Sequence, residues 1–304
     1  MDLINNLSDR LLFAIPKKGR LHEQCITLLR GADINFHRHN RLDIALVQNL
    51  PIAIIFLPAA DIAKYVGEGN VDLGITGQDM VSESQVEDKI DKILELGFGK
   101  CKLQVQAPDK GGPTKVEELV GKRIVTSFEV LAGRYFEELD KKYLSEDERN
   151  AGIKTKIQYV SGSVEAACAL GLADGIVDLV ESGETMRAAG LHPLITILHT
   201  QAILIRNKHS SNPSLISKIT ARIKGVIAAQ KYVLLNYNIS RANIKEATKI
   251  TPGRQAPTIS PLENGEWVEI QSMVVKEEVA SIMDRLEEIG AKDILVFKID
   301  NCRV

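Results

Sequence analysis

The stretch "VDLVESGET" at 177–185 sets a carboxylate inside an apolar run and follows it with small and hydroxyl side chains. In a strand, side-chain alternation turns Asp178 away from Val177 and Leu179, and the carboxyl end of such a strand is where open α/β sheets bind ligands. Ser182 or Thr185 can cap a helix starting there, while Gly183 lets backbone approach a ligand closely. Unpaired amides at a helix start attract phosphate. A carboxylate beside a phosphate cradle suits a phosphorylated ribose, the hydroxyls held directly or through magnesium and the 5'-phosphate held by the amides. Strand–turn–helix junctions of this composition also occur with no ligand, so the rest of the chain has to support the reading.

Two further segments carry chemistry. In "IPKKGRL" (15–21), Lys17 and Arg20 follow an apolar strand and precede a helix, placed either to point across a cleft at a polyphosphate or to form a solvated basic turn. In "VDLGITGQD" (71–79), Gly74 and Gly77 would let a substrate lie against the backbone, Asp72 and Thr76 offer polar contacts, and Asp79 is equally suited to cap a helix. Arg41, in "NRLDIAL", is a weaker candidate for phosphate or adenine. Glu165 either reaches magnesium and ribose hydroxyls or is a first-turn acid favoured by the helix dipole. His37 and His39 share one face of a possible strand but lack a nearby third metal ligand, and His192, His199 and His209 form no local motif.

The elements that must position these residues alternate in type. "LLFAIP", "IAIIFLP" and "VDLGITG" read as strands, and "LHEQCITLLRGA" and "AADIAKYVGEG" as helices, the order of an α/β unit. The break "DKGGPT" opens a second α/β lobe. "ITILHTQAILIRNK" returns to the first, giving two lobes, a double crossover and a cleft. The last eighty residues run strand, helix, strand, strand, helix, strand, from "KYVLLNYNI" to "DILVFKI", the βαββαβ order of a ferredoxin-like (ACT-like) domain. Expected boundaries are 1–103 with 187–224 for the first lobe, 104–186 for the second and 225–304 for the C-terminal domain.

Composition narrows the class. With 304 residues, 44% hydrophobic and 26% charged, the chain is long enough for two or three domains with ordinary cores. A net charge of -2 gives no overall attraction to nucleic acid or an acidic membrane, and the basic residues at 17–20 come without an aromatic platform for single strands. Cys25, Cys101, Cys168 and Cys302 form no CxxC pair, the first twenty residues lack a leader pattern, and "IAIIFLPAA" is too short to span a bilayer. A cytoplasmic protein is expected.

Taken together, "SGSVEAACALGLADGIVDLVESGETMRAAGL" (161–191) resembles the ATP phosphoribosyltransferase family, through Glu165, Gly171, Asp174, Asp178, Ser182, Gly183 and Thr185. "IPKKGRL" and "VDLGITGQD" are similar to the family's other two motifs, in the right order, and "PTISPL" and "GAKDIL" are similar to the regulatory domain of its long form. The resemblance covers almost the whole chain. It implies a two-lobed catalytic body of the periplasmic-binding-protein type (type II) that joins N1 of ATP's adenine to C1 of phosphoribosyl pyrophosphate (PRPP), with Mg2+ and without a covalent intermediate. It implies PRPP on Asp178, Glu181, Ser182, Gly183, Glu184 and Thr185, with Glu184 lending only its amide. ATP would lie on Arg20, Arg41, Asp72 and Gly77, magnesium on Glu165 and Asp178, and the catalytic set would be Asp178, Lys17 and Arg20.

Further implications are feedback inhibition by L-histidine held near Thr258 and Met273, assembly through dimers to a hexamer, and no separate regulatory subunit. Met273 can equally pack in its sheet. The family's frequent arginine is Leu57 in "FLPAADIAKYV", one cationic contact fewer. Two other classes share parts of this pattern: a two-lobed solute receptor, which the phosphate loop and the absence of an export signal disfavour, and the effector domain of a transcription regulator, for which no helix-turn-helix segment is found.

Overall fold

Short apolar runs at 11–16, 52–57 and 73–77 are buried along almost their whole length, as strands of a mostly parallel sheet covered on both faces must be. The structure, a computed structural model, describes residues 7, 9–38, 42–263 and 265–303. The first lobe comprises β1 (Leu11–Pro16), α1 (Arg20–Gly31), β2 (Ile44–Leu46), β3 (Ile52–Leu57), α2 (Ala59–Gly67), β4 (Leu73–Gly77), α3 (Gln78–Ser84) and β5 (Ile90–Glu95). The second comprises β6 (Cys101–Pro108), β7 (Arg123–Thr126), α4 (Glu129–Tyr143), α5 (Glu146–Asn150), β8 (Lys156–Tyr159), α6 (Ala166–Ala169), β9 (Gly175–Val180), α7 (Glu184–Ala188) and β10 (Leu191–Thr200). The chain then re-enters the first lobe as β11 (Ala202–Asn207).

The first sheet has the order β2-β3-β1-β4-β11-β5 and the second β10-β6-β9-β7-β8. β1 is parallel to β3 and β4, with β11 antiparallel between β4 and β5; in the second sheet β7 is parallel to β8 and β9, with β6 antiparallel between β9 and β10. Apart from the short edge strand β2, both sheets follow one plan, in which each accepts a strand from across the junction. This is the two-lobed, double-crossover α/β body expected of the periplasmic-binding-protein type.

The return to the first lobe comes later than the sequence reading set it. β10 pairs antiparallel with β6 from Leu191 to Thr200, so residues 191–200 stay in the second sheet and the crossing falls at 200–202 instead of near 187. Only Gln201 separates two strand-like runs, and apolar pattern does not say which sheet each run joins. The chain also divides into compact units of Met1–Cys25 with Phe36–Asn212 and of Ile26–Asn35 with Pro213–Val304, so α8 (Pro213–Lys231) falls entirely with the C-terminal part.

That part continues with β12 (Tyr232–Ser240), α9 (Ile244–Ile250), β13 (Thr258–Pro261), β14 (Trp267–Val275), α10 (Val279–Glu288) and β15 (Lys292–Lys298), in an antiparallel sheet ordered β13-β14-β12-β15. The βαββαβ order is the ferredoxin-like one. β12 and β14 alternate strictly, burying Leu235, Tyr237, Val268 and Ile270 against Ala247 and Leu286 of the helices. Among the described residues nothing covers the opposite face, where Leu295 and Phe297 are 53% and 48% exposed. Among the described residues no helix is long and apolar enough to cross a membrane.

Candidate functional site

β9 lies between β6 and β7, and Asp178 sits two residues before its carboxyl end, opposite Gln104. Alternation puts Asp178 on the face of Ile176 and Val180, away from Val177 and Leu179. Its Oδ1 accepts a hydrogen bond from Leu179 N at 2.8 Å. Burial pushes the carboxyl up to about 6; the Leu179 amide works against the rise and the charge of Glu165 adds to it. Glu165, half-buried just before α6, is thus close enough for the two carboxylates to feel one another.

The turn after β9 is set by Gly183, whose φ of +77° places it in the left-handed region that a side chain disfavours. Ser182 Oγ accepts from Glu184 N at 3.3 Å, and Arg187 reaches back from α7 to donate to Ser182 O at 3.2 Å. A Cβ on Gly183 would meet Arg187 Nη1 at 2.8 Å. The sequence reading missed Arg187, although its place four residues after Gly183, one helical turn on, was a usable signal.

Arg20, at the start of α1 in the first lobe, completes a pocket of about 240 Å³ with residues 179–186. Its Nη1 lies 3.3 Å from Glu181 Oε2, and its Nη2 donates to Cys101 Sγ at 2.9 Å. Partial burial works against the charge, but the contacts with Cys101 and Glu181 outweigh it and hold the guanidinium above its ordinary value. Burial also raises the Cys101 thiol, which stays neutral and accepts. A second pocket of about 400 Å³ shares Val180 and Glu181 with the first and is lined by Gln78, Lys100, Lys102, His199 and Thr200. Lys100, Lys102 and His199 belong to no local motif; the two crossovers bring them together.

The other expected residues that are described line neither pocket. Lys17 is paired with Asp43 at 2.7 Å, and Asp43 also takes Arg38 at 3.1 Å. Arg38 stacks over Phe56 at 4.0 Å. Lys17, then Arg38, holds the Asp43 carboxyl below its usual range. Arg41 and His39 lie outside the described residues.

Asp72 does not reach the cleft: it precedes β4, at the opposite end of the strand from Gly77, with Oδ2 accepting from Leu12 N at 2.9 Å and Oδ1 from Ser210 Oγ at 2.6 Å. Nor do Gly74 and Gly77 present bare backbone. A Cβ at Gly74 would meet Ile62 Cγ2 at 2.7 Å, and one at Gly77 would strike the Asp79 carboxylate, so protein already fills both spaces. Thr76 is buried and donates to Ala59 O at 3.2 Å.

Among the described residues no three His, Cys, Asp or Glu side chains gather as a metal cage. Asp178 with Glu165 offers two hard oxygen donors, a set that suits magnesium only when substrate oxygens complete the shell. In the C-terminal sheet, Thr258 pairs with Gln271, which shares with Met273 the face turned away from the helices. Met273 also lines a pocket of about 340 Å³ with Tyr232, Arg254 and Glu278.

The chain is similar to known proteins along its whole length. A family described as ATP phosphoribosyltransferase matches residues 58–225, and one described as HisG, C-terminal domain, matches 229–301. The chain is 57% identical over 309 residues to ATP phosphoribosyltransferase of Schizosaccharomyces pombe and 53% identical over 305 residues to that of Saccharomyces cerevisiae, each alignment covering 100% of both chains. A solved ATP phosphoribosyl transferase (HisG:HisZ) complex from Thermotoga maritima is similar at 25% identity and a TM-score of 0.60, covering 72% of this chain and 98% of that one.

Proposed function

Because the chain belongs to the ATP phosphoribosyltransferase family, the long form with the C-terminal domain, we propose how its cleft carries out the family reaction. The enzyme acts in histidine biosynthesis, joining ATP and PRPP to give N1-(5-phosphoribosyl)-ATP and pyrophosphate. The ribose of PRPP sits against Asp178, with its 5'-phosphate on the turn Ser182–Thr185 and the Arg187 guanidinium beside it. Asp178 Oδ1 is held by Leu179 N, which leaves Oδ2 to take a ribose hydroxyl or the cation. Glu165 and Asp178 would hold Mg2+; when bound, the ion neutralises charge that builds on the departing pyrophosphate. Adenine N1 attacks C1 with its lone pair as the C1–O bond to pyrophosphate breaks, so the configuration inverts and no base is needed.

Arg20, Lys100 and Lys102 ring the polyphosphate side of the cleft and orient the two reactants in line, where alignment and fixed positive charge lower the barrier most. Arg20 must leave Glu181 to do so, since a guanidinium engaged by a carboxylate is a weaker phosphate partner. The observation that carries the reading is the half-buried, desolvated Asp178 just ahead of the Gly183 turn, with Arg20 of the other lobe lining the pocket of that turn.

The ferredoxin-like domain that runs from β12 to β15 is read as the regulatory domain. A second copy of the chain covering the face of Leu295 and Phe297 would hold L-histidine near Thr258 and Met273, with dimers assembling to a hexamer and no separate regulatory subunit. The four unpaired cysteines suit a cytoplasmic enzyme. Purified protein given ATP, PRPP and Mg2+ is expected to release pyrophosphate and form a new adenine chromophore, both suppressed by histidine. Binding of both substrates with no product would leave a receptor and refute the assignment.

A further inference from the structure

α3 leaves β4 of the first lobe but is fastened to the second along its whole length. At its start, Gln78 N donates to Gln201 O at 3.0 Å and Asp79 N to Thr200 Oγ1 at 3.0 Å, while Thr200 Oγ1 donates back to Asp79 Oδ1 at 2.5 Å. Asp79 is only 3% exposed. In the middle, Met80 packs against the second lobe's core cluster, which includes Val105, Phe128 and Phe136. At its end, the Glu83 carboxylate accepts from Val130 N at 2.8 Å and Leu131 N at 3.0 Å. Just beyond, Gln85 Oε1 accepts from Arg134 at 3.1 Å.

The Glu83 contact fills a gap that the sequence of α4 leaves open. The first amides of a helix need an acceptor, commonly a hydroxyl or carboxylate at the N-cap. α4 has Phe128 there, with no side-chain cap. The two nearest hydroxyls do not reach the amides of Val130 and Leu131: Ser127 Oγ donates to Val160 O at 2.7 Å, and Thr126 Oγ1 donates to Val177 O at 2.7 Å and accepts from Phe128 N at 2.9 Å. A carboxylate from the opposite lobe therefore serves as the cap, with the added attraction between a negative charge and the positive end of a fifteen-residue helix.

We propose that Glu83 is a positioning residue for the transferase reaction: by capping α4 from the first lobe, where the two lobes touch, it fixes their separation, and with it the placement of Arg20 relative to the Asp178–Thr185 turn. The inference rests on that turn and Arg20 forming the PRPP site. Glu83 touches no substrate. Without it the lobes spend part of their time too far apart, and apparent affinity falls by the fraction of time in the competent arrangement, while saturating substrate pulls the lobes back.

The test is steady-state kinetics and calorimetric PRPP–Mg2+ binding on full-length wild type, Glu83→Ala and Glu83→Gln, with melting curves for each. For Glu83→Ala, KM and Kd for PRPP should rise about tenfold, as for a competent fraction near one tenth, with kcat within about twofold of wild type. Glu83→Gln, whose amide oxygen still accepts, should recover most of both. A role in stability alone would lower the melting temperature and the active fraction, moving kcat and leaving KM in place; that outcome overturns the proposal, as does a glutamine variant no better than alanine. If Asp178→Asn binds PRPP as tightly as wild type, the site reading and this inference fall together; an unchanged Glu83→Ala KM removes the inference alone.

Discussion

Replacing Asp178 by asparagine should make the ligand-free fold more stable while abolishing turnover. Burial lifts the Asp178 carboxyl from 3.8 to about 6, so the folded protein holds this proton more tightly than the unfolded chain does. Its contribution is therefore most favourable at low pH and is lost as pH rises through 6; at pH 8 the ionised group costs the fold roughly 3 kcal/mol, and at pH 5 about half of that. Asparagine keeps the oxygen that Leu179 N uses and removes the charge.

Differential scanning calorimetry of both proteins at pH 8, 6 and 5 should show the variant's catalytic unit melting about 5–10 °C higher at pH 8, the gap narrowing as the pH falls. Adding PRPP with Mg2+ should reverse the order, because ligand binding stabilises wild type by mass action and the variant little. A variant no more stable than wild type at pH 8, or a gap that does not change with pH, would refute the claim that the site holds a carboxylate against its desolvation for the substrate's sake.

Three further outcomes are expected. Arg20→Ala should lower kcat/KM by about a hundredfold or more, with Arg20→Lys recovering part, because one ammonium cannot face two partners as the guanidinium does; a loss under threefold would take Arg20 out of the phosphate site. Gly183→Ala should raise the KM for PRPP several-fold and destabilise by about 1–2 kcal/mol through its left-handed φ. Adding Arg187→Ala should restore the collision share of the lost stability but not the KM, since it also removes the guanidinium beside the 5'-phosphate; equal melting temperatures for the single and double variants would show that the two residues do not meet. Thr258→Trp should raise the histidine concentration for half-inhibition at least about tenfold with turnover within twofold, a bulky ring being unable to share the face near Met273; unchanged inhibition moves the histidine pocket elsewhere.

What could be read from the sequence follows from how local each signal is. Asp178 stood out because a charge in an apolar strand has few structural uses, and the Gly183 turn because its residues are consecutive. The βαββαβ order of the C-terminal part was legible in the strict alternation of β12 and β14. Asp72 misleads for the same reason that Asp178 is legible: each is a charge next to apolar strand residues, but Asp178 lies near the carboxyl end of β9 and Asp72 just before the amino end of β4, where its oxygens accept from Leu12 N and Ser210 Oγ. Gly74 and Gly77 looked like openings for substrate and are openings for Ile62 and Asp79. Lys100, Lys102 and His199, and the pairing of Glu83 with α4, depend on which strand crosses where, which no window of neighbouring residues records.

The place of β11 bears on how the chain is made. It is the neighbour of both β4 and β5, yet it emerges from the ribosome about a hundred residues after them. Until Ala202–Asn207 has been synthesised, β5 has no partner in its sheet and β4 has an open edge, so the amino-terminal third cannot finish folding during its own translation. Such long-range closure slows folding and leaves unsatisfied strand edges exposed to other nascent chains. A premature stop before residue 202 should therefore yield an aggregation-prone fragment, not a soluble half-enzyme.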